Sequence, residues 1–157
     1  GIAALSSFND IQECTNEGEV TGSPSVAGGI CGVFEAGEMR ECTNTGDVLV
    51  KGSGNAGGIA GTTKAAQPTS FVDCRNSGAV CGRFGFAASI LAESVNPTDR
   101  VDGCGVGGAV GTPSQDRESA APITEENYTI YILGRNAERN NAVVGEKKPC
   151  YYWNGTK

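Results

Sequence analysis

Residues 11–32 read IQECTNEGEVTGSPSVAGGICG, and residues 39–61 read MRECTNTGDVLVKGSGNAGGIAG. Aligned on Cys14 and Cys42, the two stretches carry asparagine (Asn16, Asn44), glycine (Gly18, Gly46) and valine (Val20, Val48) at the same offsets, and each runs on to Gly-Gly-Ile. A fixed internal period decides an architecture before any single residue does. A third copy begins at Phe71 and keeps Cys74, Asn76, Gly78 and Val80, but Ala88-Ser89-Ile90 stands where the glycine pair would be. A fourth keeps Val101, Cys104, Gly108 and Val110, with Val106 in the asparagine position. The cysteines recur at 14, 42, 74 and 104, in steps of 28, 32 and 30 residues. Gly1-Ile2 matches Gly29-Ile30 and reads as the tail of an earlier unit.

Within each unit Cys14, Asn16, Gly18, Val20 and Gly22 alternate with Thr15, Glu17, Glu19 and Thr21, the two-residue period of a strand with one buried face. Glycine is a poor strand former, so its fixed place beside asparagine marks a bend, where a left-handed backbone or close packing excludes a Cβ. A second short strand is expected around each Gly-Gly-Ile, whose repeat glycines are Gly29, Gly32, Gly58 and Gly61. A unit this small cannot bury its apolar stripe alone, so copies must stack, with like residues on neighbouring rungs about 4.8 Å apart. The expected fold is all-β, a parallel β-helix or β-solenoid of about four to five rungs. Length changes between units fall after each Gly-Gly-Ile segment and read as loops on one side.

Composition agrees with a narrow core. There are 24 glycines among 157 residues, and aromatics make up 6% of the chain, which disfavours packed helices because glycine costs about 1 kcal/mol relative to alanine inside one. The repeats occupy residues 1–111. Residues 112–157, with the strand-like Tyr128–Leu133, a last Gly-Gly-Ile equivalent around Ala142–Gly145 and the aromatic ending Tyr151-Tyr152-Trp153, read as a divergent final rung that caps the open end of the same domain.

The formal charge of −6 and the absence of histidine argue against nucleic acid or anionic lipid as partners, since both need a basic face. No apolar run approaches the roughly 20 residues of a membrane span, and Gly1–Leu5 lacks the features of a signal peptide. The chain reads as a mature or excised portion of a larger protein, without membrane insertion in this segment.

The pattern apolar-x-x-Cys-x-Asn-x-Gly-x-Val-x-Gly followed by Gly-Gly-Ile-x-Gly, carried by Cys14–Gly32, Cys42–Gly61 and Cys74–Gly82, resembles the GLUG-motif repeats of bacterial surface proteins and of non-catalytic regions of IgA-specific metalloendopeptidases. The resemblance covers about two-thirds of the chain. It implies a secreted or surface-displayed, adhesive repeat region that meets glycans or proteins. The His-Glu-x-x-His zinc motif of those peptidases has no counterpart in a chain without histidine.

Three sets of residues carry chemistry. The cysteine row Cys14, Cys42, Cys74 and Cys104 is open to disulfides, metal ligation or a role as small core residues; side chains of a parallel ladder point the same way and no Cys-x-x-Cys pair occurs, so a buried thiol ladder is expected and zinc is not. Cys31, Cys81 and Cys150 lie off that row, and a pairing among them stays open. Asn16, Asn44 and Asn76 are expected to stack as an amide ladder, because buried amides must find partners.

The third set, Glu13, Glu41 and Asp73, immediately precedes the row cysteines, with Glu17, Glu19 and Asp47 on the same outward side. Stacked like charges repel and invite a cation such as calcium, or a neighbour such as Arg40 or Arg75. A carboxylate row also raises the alternative of a carbohydrate-active β-helix enzyme, a polysaccharide lyase or glycoside hydrolase. A catalytic site usually breaks its repeat, and this row obeys it. The expectation is a non-catalytic, extracellular segment with no resident cofactor.

Overall fold

The computed structural model describes residues 1–106 apart from 24, 65 and 83, together with Val110 and the backbone of Val143–Val144. All regular structure among them is β, and every strand pairing is parallel. The chain winds as a β-solenoid. One turn is made of β1 (Ala3–Ser6), β2 (Ile11–Gln12), β3 (Thr15–Asn16), β4 (Val20–Gly22) and β5 (Ala27–Gly28), after which β6 (Cys31–Phe34) lies directly on β1.

The next turn repeats the order with β7 (Gly37–Arg40), β8 (Thr43–Asn44), β9 (Val48–Val50), β10 (Ala56–Gly57) and β11 (Ala60–Thr63). The third has β12 (Thr69–Val72), β13 (Arg75–Asn76), β14 (Val80–Gly82), β15 (Ala87–Ala88) and β16 (Leu91–Glu93), and it leads into β17 (Arg100–Asp102) and β18 (Gly105–Val106). Each turn is thus a five-sided coil, and stacking produces five narrow sheets. The register keeps like residues together: Ile11, Met39, Phe71 and Val101 form one row, and Asn16, Asn44, Asn76 and Val106 another.

About three turns are formed, fewer than the four to five rungs read from the sequence. The alternating run Cys14–Gly22 also differs from a single strand. It breaks at Gly18 into β3 and β4, and the bend lets the inward row continue around a corner. The Gly-Gly-Ile segment likewise spans a corner, Gly28 ending β5 and Gly29-Ile30 leading into β6, so two strands flank it instead of one.

Val143–Val144 forms β19 and pairs with β17, Val101 facing Val144. That places it on the Met39 row, so it is not the Gly-Gly-Ile equivalent expected from the sequence. The remainder of the expected capping rung, Tyr128–Leu133 and the aromatic ending included, lies outside the described residues, as do Gly108 and Cys150.

The interior is filled by rows of buried side chains. Ile30, Ile59 and Ile90 stack at one corner, Met39, Phe71 and Val101 on one sheet, and Val48, Val80 and Val110 on another. Phe34 meets Phe71 edge-on, with ring centroids 5.8 Å apart at 61°. Burying each such side chain contributes about 1.5–3 kcal/mol, and no unit could do so without its neighbours. Most of the length variation sits where expected, between the sheet of β1 and the sheet of β2, in residues 35–36, 64–68 and 94–99, and one further residue is added between β9 and β10, in residues 51–55. The longest of these is tied down by Asp99, which is fully buried and accepts hydrogen bonds from Thr63 Oγ1 at 2.6 Å, Ser94 Oγ at 2.7 Å, Thr69 N at 2.8 Å and Thr69 Oγ1 at 2.9 Å.

Candidate functional site

The repeat residues converge on one corner of the coil. Asn16 Nδ2 donates to Asn44 Oδ1 at 2.7 Å, and Asn44 Nδ2 donates to Asn76 Oδ1 at 2.7 Å. The second proton of each amide goes to the carbonyl two residues on, Gly18 at 2.8 Å, Gly46 at 2.7 Å and Gly78 at 3.0 Å. The ladder is therefore continuous, and Asn44 and Asn76 are wholly buried with their donors satisfied. A buried amide left unpaired costs about 1–3 kcal/mol, so each asparagine of the row depends on its neighbour.

Glycine surrounds the ladder for lack of room. A Cβ on Gly29 would fall 2.4 Å from Asn44 Cγ, and one on Gly58 2.4 Å from Asn76 Cγ. A Cβ on Gly46 would lie 2.1 Å from the Gly18 carbonyl oxygen, and one on Gly78 1.9 Å from that of Gly46. Of the two reasons for glycine weighed from the sequence, close packing holds, since none of these has a positive φ. Gly32 and Gly61, on β6 and β11, are held by similar contacts, with the Ala4 carbonyl oxygen at 2.7 Å and Val26 Cγ1 at 2.3 Å from the added atom.

The third unit follows the same logic. Ser89 occupies the place of Gly29 and Gly58 in the turn whose successor carries Val106 instead of asparagine. Its Oγ accepts from Asn76 Nδ2 at 2.9 Å and closes the ladder. What reads in the sequence as degeneration is the terminus of the amide row. The signal was present, because Ser89 and Val106 depart from the repeat together.

Beside the amides runs the thiol row. Cys42, Cys74 and Cys104 are buried, and each thiol donates to a carbonyl of the preceding turn, those of Ile11, Met39 and Phe71, at 3.4 Å. The six cysteines among the described residues are thiols. The off-row pair Cys31 and Cys81 sits on different sheets, on β6 and β14. Hydrogen bonding to Cys74, followed by burial, raises the pKa of Cys42, and contact with Cys104 raises that of Cys74 well above the usual thiol value. Burial pushes Cys31 up to about 11. Thiols kept protonated are poor nucleophiles and poor metal ligands.

The acidic row is built differently from what a strand alternation suggests. Glu13, Glu41 and Asp73 have φ of 52°, 53° and 51°, in the left-handed region, and the fourth unit places Gly103 there with φ 63°. They mark the corner between the sheets of β2 and β3, and turn the chain so that the next residue, the row cysteine, points inward. Glu41, Thr43, Asp73 and Arg75 line an open groove of about 400 Å³ on this outer surface. Arg40 is not their neutralising neighbour, because its guanidinium pairs with Glu38 at 2.7 Å. Asp47 is engaged with the Ala79 N–H at 2.7 Å. Among the described residues no group of three or more histidine, cysteine, aspartate or glutamate side chains is placed to hold a metal ion.

A further polar stack lies at the loop corner, where Glu35 joins Ser7 of the turn before and Lys64 of the turn after. The hydrogen bond to Lys64 holds the Glu35 carboxyl below the usual value. No described helix is long and apolar enough to cross a membrane. No family model matches the chain, and no curated protein or solved structure is similar to it, so the likeness to GLUG-motif repeats stands on Cys14–Gly32, Cys42–Gly61 and Cys74–Gly82 alone.

Proposed function

We propose that this chain is a non-catalytic structural or adhesive segment of a larger bacterial cell-surface protein of the GLUG-repeat type, meeting glycans or proteins through its outer surface and loops. The observation that carries this reading is the placement of its reactive groups. Thiols and amides point inward and are consumed in joining one turn to the next, while the outward rows are charged and encoded by the repeat. Such a construction supports a rigid stalk whose length scales with copy number. Buried, protonated thiols oxidise slowly, which makes the cysteine row compatible with an extracellular setting.

A second reading, a carbohydrate-active enzyme, draws on one observation: Glu41 and Asp73 border the same open groove with Arg75. Paired carboxylates are the machinery of glycoside hydrolysis. One experiment separates the readings. The recombinant chain is applied to a glycan array and incubated with the polysaccharides it retains. Binding without release of reducing ends supports the adhesive reading. Release that is abolished by Asp73→Asn would overturn it. A parallel melt with calcium reports on the cation alternative, for which a melting temperature rising with calcium is the signature.

A further inference from the structure

The two inward ladders fix every second residue of their corner and leave the one between them free. Cys42 and Asn44 face the core and are wholly buried, as are Cys74 and Asn76. The residue between each pair faces outward, and it reads Thr15, Thr43, Arg75 and Gly105 on successive turns. Arg75 departs from the repeat inside a frame that does not.

Four side chains of two adjacent turns border the open groove of about 400 Å³, Glu41 and Thr43 from one turn, Asp73 and Arg75 from the next. Like members of neighbouring turns lie about 4.8 Å apart, so the set spans an area comparable to one pyranose ring. Three other cations of the outer surface are spent on carboxylates, Arg40 on Glu38, Lys64 on Glu35 and Arg100 on Asp102. Arg75 is exposed and joins no such pair with a described residue, although two carboxylates border its groove. Glu41 and Thr43 likewise spend no side-chain oxygen on another described residue. No aromatic or aliphatic side chain lines the groove, so a ligand there is held by hydrogen bonds at its edge and not by stacking on a ring face.

Charge decides the class of ligand. An anion would face Glu41 and Asp73 on a chain already at −6, and a cation would share the groove with the Arg75 guanidinium. A neutral group with both donors and acceptors satisfies every wall. A hydroxyl donates to a carboxylate and accepts from a guanidinium, both charge-assisted bonds of the stronger kind, and neighbouring hydroxyls of a sugar ring offer this in pairs. We infer that the groove of Glu41, Thr43, Asp73 and Arg75 is a binding subsite for a neutral sugar unit, held by its ring-edge hydroxyls. Arg75 and Thr43 donate to ring-edge oxygens, and Glu41 accepts from an adjacent hydroxyl. This assignment rests on the adhesive role proposed for the chain and names the ligand class that role would use.

The whole chain is titrated with neutral oligosaccharides of mannose, galactose and glucose, with oligogalacturonate as the anionic probe and chitosan oligomers as the cationic one. At least one neutral oligosaccharide should bind, with an affinity that changes less than about twofold between about 0.05 and 0.5 M salt, because no net charge on the ligand is there to be screened. Arg75→Thr restores the residue that Thr15 and Thr43 carry in the same row, so the melting temperature should hold while binding weakens at least about tenfold. Glu41→Gln keeps the side chain's shape and should weaken binding in the same direction. Lys51→Thr makes the same change of charge on an exposed residue between β9 and β10 and should leave binding intact. Binding of oligogalacturonate or chitosan alone overturns the inference, as does neutral-sugar binding that Arg75→Thr and Glu41→Gln both leave unchanged; in either case a sugar is still retained and the adhesive reading stands. Absence of binding to every probe also overturns it. Release of reducing ends, by contrast, would sink the adhesive reading and leave the subsite in place.

Discussion

Two corners of the coil solve the same problem in opposite ways. At the Asn16–Gly18 corner three successive turns use the same residues, because each amide completes the hydrogen bonding of the next and each glycine makes room for its neighbour's carbonyl. At the corner of residues 35–36, 64–68 and 94–99 the turns share a backbone position and little else. There successive turns are joined by contacts that do not repeat, Glu35 with Lys64 in one place and Asp99 with Thr63, Thr69 and its own loop's Ser94 in another. A ladder couples a residue to its own copies and so conserves identity within the chain. A corner whose joining contacts differ from turn to turn is free to vary.

The largest effect that would sharpen this contrast is Gly46→Ala. The added Cβ meets the Gly18 carbonyl oxygen at 2.1 Å, a backbone contact with no flexible end to yield, and a loss on the order of 4 kcal/mol or failure to fold is expected in chemical denaturation. Wild-type stability in that variant would break the ladder account.

Alkaline pH separates the corners next. The pKa values of Cys31, Cys42 and Cys74 are raised in the fold above the ordinary thiol value, so the folded chain holds protons that the unfolded chain releases. Their contribution is complete below the ordinary thiol value of 9.0 and is lost as pH climbs, for Cys31 between 9.0 and about 11. The melting temperature should fall through that window. Replacing Cys31 with alanine should flatten part of the fall.

Asp99→Asn is smaller. It leaves the side chain's size intact but puts amide protons where oxygens accept from Thr63, Thr69 and Ser94, at a cost of about 1–3 kcal/mol measured by urea titration. The loosening should stay local, with faster amide exchange in residues 94–99 and little change at Asn44.

The smallest effect is a coupling. Val106→Asn places an amide beside Ser89, where the earlier turns have glycine. Paired with Ser89→Gly it should extend the ladder by one rung. The double variant is expected to be more stable than the sum of the singles by about 1–2 kcal/mol. Additive energies would mean that Ser89 and Val106 changed independently.

The parts of the fold legible in the sequence were those in which residue identity recurs. Cys14, Asn16 and Gly18 repeated at constant offsets reveal parallel stacking, because only like-on-like contact makes identity worth keeping. The five-sided cross-section was hidden, since the alternation from Cys14 to Gly22 passes through a bend without changing its period. The left-handed corner at Glu13, Glu41 and Asp73 was hidden for a related reason. Acidic side chains in a strand-like run read as outward positions, and only Gly103, standing in the same place, hints at the backbone. The Arg40–Glu38 pairing was missed because proximity along the chain favoured Glu41, whereas strand alternation puts Arg40 and Glu38 on the same face.

Everything here depends on successive turns of one parallel spiral holding their cysteines in a single file. Sulfur anomalous scattering from crystals of the chain measures this directly. The account predicts four peaks for Cys14, Cys42, Cys74 and Cys104 in a near-straight line, stepping by about 4.8 Å, the spacing of adjacent strands. Peaks distributed over different sides of the molecule, or separated by unequal distances, would contradict it.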